Sequence, residues 1–96
     1  LDKLKTDVNW STSFRGADYM LKSGKDLDLA MKYIDISIMI DENYNNLKVK
    51  AQLLEKAGKK SEAIATMQKA LDKAATMKNP PFDLDAMKSL LENWKK

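Results

Sequence analysis

Two glycines, Gly24 and Gly58, stand 34 positions apart, and each interrupts a stretch that reads as helix on both sides. This spacing constrains the chain more than any other feature. Glycine tolerates φ > 0 without steric cost, so it can turn the backbone from one helix into the next. Slid over itself by 34, the sequence sets Ala17 on Ala51, Met20 on Leu54 and Trp10 on Tyr44. Slid by 33, it sets Ala30 on Ala63, Ile34 on Met67, Ser37 on Ala70 and Ile38 on Leu71. The one-residue difference is an insertion between Gly24 and Ala30. A self-match at ~34 residues, with two helices in each period, marks an all-α solenoid of stacked helical hairpins.

The helices can be bounded from apolar periodicity and caps. Trp10, Phe14, Ala17 and Leu21 form one helical stripe, with Asn9 expected as N-cap. A second stripe runs through Leu27, Ala30, Met31, Ile34, Ser37 and Ile38, capped by Asp26 or Asp28. Tyr33, Ile36 and Ile40 give that helix a second apolar face, so it is expected to lie between neighbours. Asn43 is expected to cap a third helix carrying Leu47, Ala51 and Leu54. A fourth starts near Ser61, carries Ala63, Ile64, Met67, Ala70, Leu71 and Ala74, and ends before the Asn79-Pro80-Pro81 run. A fifth follows Asp83, its expected N-cap. Phe82 and Met87 are spaced to close a hydrophobic staple there. Leu84, Met87, Leu90, Leu91 and Trp94 form its stripe. The organisation expected is a stub over 1–9, one repeat over 10–42, a second over 43–76, and a linker with a capping helix over 77–96.

Here the chain resembles the tetratricopeptide repeat family, over residues ~10–76 as two units. The second unit carries the likeness in "LKVKAQLLEKAGKKSEAIATMQKAL". Leu47 stands where the family has tryptophan, Ala51 at its small glycine, Leu54 at its tyrosine, Ala63 at its alanine and Met67 at its phenylalanine. In the first unit these places hold Ser13, Ala17, Met20, Ala30 and Ile34. The family's closing proline is absent; Glu42 and Ala75 stand near its place. A narrower likeness, through the run ending in "ALDKA", is to the helical tail of exported bacterial proteins of unknown function. It implies a periplasmic or exported setting.

The family resemblance implies a groove lined by the first helix of each unit. Its inward positions would be Ser11, Phe14, Asp18, Leu21 and Lys22, then Asn45, Lys48, Gln52, Glu55 and Lys56. Family members that clamp a C-terminal carboxylate use lysine and asparagine at set groove positions. Phe14 and Asp18 hold two of those positions here, and Asp18 would repel a carboxylate. Lys48 with Gln52 is a partial match only.

Other chemistries find little support. The chain has no cysteine and no histidine. That excludes disulfides and thiolate chemistry, and removes the commonest general base and nitrogen metal ligand. The acid pairs Asp26/Asp28, Asp41/Glu42 and Asp83/Asp85 all fall at helix starts, where carboxylates complement the dipole. "DLDLA" lacks the glycine and distal glutamate of a calcium loop. "AGKKSEA" lacks the spaced glycines and preceding strand of a phosphate loop. Seventeen basic residues against fourteen acidic give a net charge of +3. The signs interleave, and the lysines of the second unit alternate with Glu55, Glu62 and Asp72, as on a solvated helix face. A basic RNA-binding repeat is therefore a remote reading, and no nucleic acid partner is expected. No apolar run approaches the ~20 residues of a membrane span.

The expectation is a non-catalytic protein–protein interaction or scaffolding module with no cofactor and no metal. Its partner would be a protein, a peptide or an upstream domain of the same chain. The alternative is a structural helical appendage packed on a missing N-terminal domain, with no binding role of its own. The N-terminal repeat, rich in Trp10, Phe14, Tyr19 and Tyr33 but without a cap, is expected to leave aromatic surface for such a domain or for self-association.

Overall fold

A computed structural model describes residues 10–96. The stub over 1–9 and the expected Asn9 cap lie outside the described residues. Five helices follow: α1 (Trp10–Ser23), α2 (Leu27–Ile40), α3 (Tyr44–Lys56), α4 (Lys60–Ala75) and α5 (Leu84–Lys95). No strand occurs among the described residues, so the fold is all-α and repeat-like.

Successive helices run in opposite directions, as short connections dictate. Ser37, late in α2, donates to the carbonyl of Trp10 at the start of α1 (2.8 Å). Asn46, early in α3, donates to Ser37 Oγ (3.0 Å). Lys69 and Lys73, late in α4, reach Glu42 just ahead of α3. The last helix continues the alternation. Asp83 lies beside Lys48 and Met87 beside Gln52, so α5 advances in the same direction as α3.

Both corner glycines adopt positive φ, 74° at Gly24 and 83° at Gly58. At Gly58 the α3 terminus closes as a Schellman motif. The Lys59 N–H donates to the Leu54 carbonyl (2.9 Å) and the Gly58 N–H to that of Glu55 (3.0 Å). The insertion between Gly24 and Ala30 leaves Asp26 at φ 51°, a left-handed conformation that aspartate adopts more readily than most residues.

The caps divide. Asn43 caps α3 through a reciprocal box with Asn46: each side chain accepts from the other's backbone N–H. Asp26 occupies the α2 N-cap without a side-chain hydrogen bond, and Asp28 lies inside the first turn. Asp83 likewise makes no side-chain cap to α5; its carboxylate is turned back toward α3. The Phe82–Met87 staple does not form, because Phe82 is fully exposed, at 101%. α4 begins one residue ahead of Ser61, within ordinary variation in helix limits.

The core has two parts. Ala17, Leu21, Ala30, Ile34, Val49 and Leu53 fill the space between α1, α2 and α3. Tyr44, Leu47, Ala51 and Leu54 join Ala63, Met67, Ala70, Leu71 and Ala74 in the second, which α5 closes with Leu91 and Trp94. Ala17, Ala30, Ala51, Ala63 and Ala70 have no exposed surface. They sit where backbones approach, and a longer side chain would force them apart.

A polar seam joins the hairpins. Ser37 and Asn46 are both fully buried. Besides its bond to Ser37, the Asn46 amide donates to the Asp41 carbonyl (2.8 Å), and its oxygen accepts from the Asn43 N–H (2.9 Å). Every buried side-chain polar atom among the described residues has a partner, as burial demands.

The second apolar face of α2 is not sandwiched. Of the three residues expected there, Tyr33 is half-buried against Gly16, while Ile36 and Ile40, joined by Leu29, remain substantially exposed. The face they share points away from both α1 and α3, which already occupy the other sides. Of the four N-terminal aromatics only Tyr19 is strongly exposed, at 73%. Trp10 and Phe14 shelter each other, their ring centroids 5.5 Å apart, and Tyr33 covers Gly16.

Candidate functional site

An open cleft of about 460 Å³ runs between α1, α3 and the beginning of α5. α1 contributes Phe14, Asp18, Leu21 and Lys22, spaced to share one helical face. α3 contributes Lys48, Gln52 and Lys56, one turn apart each. The third wall comes from Phe82, Asp83 and Met87. Ser11, Asn45 and Glu55 do not line it. Asn45 instead faces a smaller hollow of about 280 Å³ near Glu42, Lys73 and Met77, and Glu55 is exposed on the flank of α3.

Electrostatics at one end of the cleft are locked. Lys48 Nζ donates to Asp83 Oδ2 at 2.7 Å, and the Tyr44 hydroxyl donates to Asp83 Oδ1 at 2.8 Å. Both charged side chains are only 17% exposed. The Lys48 ammonium also lies 5.3 Å from the Tyr44 ring centroid, within cation–π range. Burial works to raise the Asp83 pKa, but the hydrogen bonds from Lys48 and Tyr44 outweigh it and hold the carboxyl below its ordinary value. Burial, followed by the bond to Asp83 and its negative charge, pushes the Tyr44 phenol well above its ordinary value. Lys48 is therefore not available to clamp a terminal carboxylate without losing Asp83.

The other end is looser. Lys22 pairs with Asp18 at 3.0 Å, but its side chain is 75% exposed. Lys56, in the last turn of α3, makes no ion pair among the described residues. The Gln52 amide makes only long contacts, to the Lys48 carbonyl (3.5 Å) and the Met87 sulfur (3.8 Å). Phe14, Leu21, Phe82 and Met87 supply apolar surface between these ends.

Phe82, Asp83 and Met87 are the part of the cleft that sequence reading missed. Sequence alone places Asp83 as the N-cap of its own helix, because acids suit helix starts. Its true partners are 39 and 35 residues away. One signal was present: two prolines fix extended backbone immediately before Phe82, a setting in which a large aromatic is hard to tuck back onto its own helix.

The described residues hold no group of three or more His, Cys, Asp or Glu side chains able to bind a metal ion. No described helix is long and apolar enough to cross a membrane. Comparison with protein-family models, with curated proteins and with solved structures finds no match to this chain.

Proposed function

We propose that the chain is a non-catalytic protein–protein interaction module of tetratricopeptide type. Two helical hairpins, α1–α2 and α3–α4, form a short solenoid closed by α5, and the cleft between α1, α3 and α5 docks an extended segment of a partner. One observation carries this reading: a fully exposed phenylalanine, Phe82, lines the cleft between α1, α3 and α5. An exposed aromatic in a cleft that mixes apolar side chains with charged ones suits a contact surface, since such anchors dominate binding energies. The 34-residue self-match, the positive-φ glycines and the fully buried alanines support the repeat assignment. The two carboxylates that line the cleft, Asp18 and Asp83, are each ion-paired.

Panning a displayed random-peptide library against the chain tests this. Enriched peptides are expected to lose most of their binding to Phe82→Ala and Gln52→Lys, while both variants melt like the parent. Peptides insensitive to both changes would place the contact surface elsewhere.

A second reading has its own observation. Leu29, Ile36, Met39 and Ile40 leave the outer face of α2 apolar. In that reading the chain is a structural appendage whose α2 face packs on another domain or on a second copy. Light scattering over a concentration series, for the parent and for Ile36→Ser/Ile40→Ser, separates the cases. Association abolished by the double change supports the appendage reading.

A further inference from the structure

We propose that the cleft selects an extended peptide carrying one acidic residue about four positions from a bulky apolar one. This rests on the reading of the cleft as a docking surface. It concerns what the cleft accepts.

The charge balance comes first. The cleft is lined by two carboxylates, Asp18 and Asp83, and three ammonium groups, Lys22, Lys48 and Lys56. Asp83 and Lys48 cancel at 2.7 Å, and the Tyr44 hydroxyl completes the shell of Asp83. Asp18 and Lys22 form an exposed pair, of the kind that contributes little and exchanges readily. One positive charge remains, on Lys56. A ligand carrying a single carboxylate matches it; a basic ligand or a strongly acidic one does not.

Position comes next. Lys22 and Lys56 both lie in the last turns of their helices. α1 and α3 each run opposite to α2, so they run parallel, and these two lysines share one end of the cleft. Lysine in a last turn also complements the helix dipole. The Lys56 ammonium is left to pair with a ligand, and that of Lys22 can exchange Asp18 for one. Apart from Leu21, which neighbours Lys22, the apolar cleft residues lie away from the lysine end, and Phe82 stands beside Asp83, which is tied to Lys48 in the first half of α3. On α1 Phe14 is the apolar residue at that end. Eight residues separate Phe14 from Lys22, which is about 12 Å of helix. An extended chain rises ~3.3 Å per residue, so about four residues cover the distance. Phe82 is the natural anchor contact, because it is already fully exposed and is held in place by its neighbour Asp83.

The test uses the full chain and fluorescein-labelled nonapeptides of glycine and serine. Each carries one leucine and one glutamate separated by two, four or six positions, in both orders, with glutamine and lysine in place of glutamate as controls. Anisotropy titration is expected to favour the four-position glutamate peptide over its glutamine control by at least about fivefold. The double variant Lys22→Glu/Lys56→Glu is expected to reverse the preference toward the lysine peptide. Phe82→Ala should weaken every leucine peptide by about tenfold or more, with an unchanged melting temperature. Equal binding of the glutamate and glutamine peptides, still lost on Phe82→Ala, would overturn the acidic preference and leave the docking cleft standing. Failure of every peptide, together with failure of library panning, would remove both. Binding of an oligothymidylate of similar length at equal strength, lost on Phe82→Ala, would overturn the proposal in favour of nucleic acid.

Discussion

The two hairpins differ in what covers them. The α3–α4 hairpin lies between α2 on one side and α5 on the other, and Leu91 and Trp94 of α5 sit in its core. Among the described residues, the α1–α2 hairpin has a neighbour on one side only. Its core reaches α3 through Val49 and Leu53, while Leu29, Ile36, Met39 and Ile40 on α2 face outward. Similar helices, built from a sequence that overlays itself, thus meet different surroundings. A covered apolar stripe stabilises the fold, whereas an open one of the same composition contributes little to it and stays available for contact.

The largest effect expected from this asymmetry is at the covering helix. Trp94→Ala removes a buried aromatic from the α4–α5 contact and should destabilise the chain by about 3–5 kcal/mol. Urea melts followed by circular dichroism check it. A loss under about 1 kcal/mol would mean that α5 adds little to the second core.

Next comes the seam between the hairpins. Asn46→Leu deprives the Ser37 hydroxyl, the Asp41 carbonyl and the Asn43 N–H of a partner each. Leaving such groups short of partners should cost about 1–3 kcal/mol. Thermal melts should show one cooperative transition at lower temperature. Two separate transitions would show that the seam is what makes the hairpins unfold together.

The Asp83 latch gives a pH-dependent effect. Its carboxyl titrates below its ordinary value in the folded chain because Lys48 and Tyr44 donate to it, against the pull of burial. Its stabilisation is therefore fully present above the unfolded carboxyl pKa of about 3.9 and is lost as pH falls through the lower folded value. Asp83→Asn should cost about 1–2 kcal/mol near neutral pH. Between about pH 5 and pH 2.5 it should then lose less stability than the parent does. Parallel melts across that range decide it, and identical acid sensitivity would contradict the latch. Glu42, lowered mainly by its hydrogen bond from Lys69, titrates alike in both proteins and drops out of the difference.

The smallest effect is expected at the open stripe. Ile36→Ser should change stability by less than about 0.5 kcal/mol. Chemical denaturation at low concentration measures it. A cost near that of a core substitution would show that something covers α2 in solution and would favour the appendage reading.

How much of this was legible in the sequence follows from the range of the interactions involved. Local signals worked: Gly58 because a Schellman turn needs positive φ, Asn43 because capping is settled within three residues, and the Ala63–Met67–Ala70 stripe because helical period is a property of one segment. Of the groove positions that the resemblance implies, Phe14, Asp18, Leu21, Lys22, Lys48, Gln52 and Lys56 line the cleft, whereas Ser11, Asn45 and Glu55 do not. Asp83 was not, because a carboxylate at a helix start satisfies a local rule and gives no sign that a lysine and a tyrosine from another helix offer stronger bonds. Asn46 was passed over because buried amides carry no period. The α2 stripe was read as buried because apolar periodicity reports which faces are greasy and is silent on how many neighbours exist to cover them.

We propose that the cleft between α1, α3 and α5 is where this chain meets its partner. The most direct measurement is a two-dimensional amide NMR titration of the full chain with a panned peptide. The account predicts shifts concentrated on Phe14 to Lys22, Lys48 to Lys56 and Phe82 to Met87, with the outer face of α2 unmoved. Shifts centred on Leu29, Ile36 and Ile40, with Phe82 and Gln52 unmoved, would contradict it.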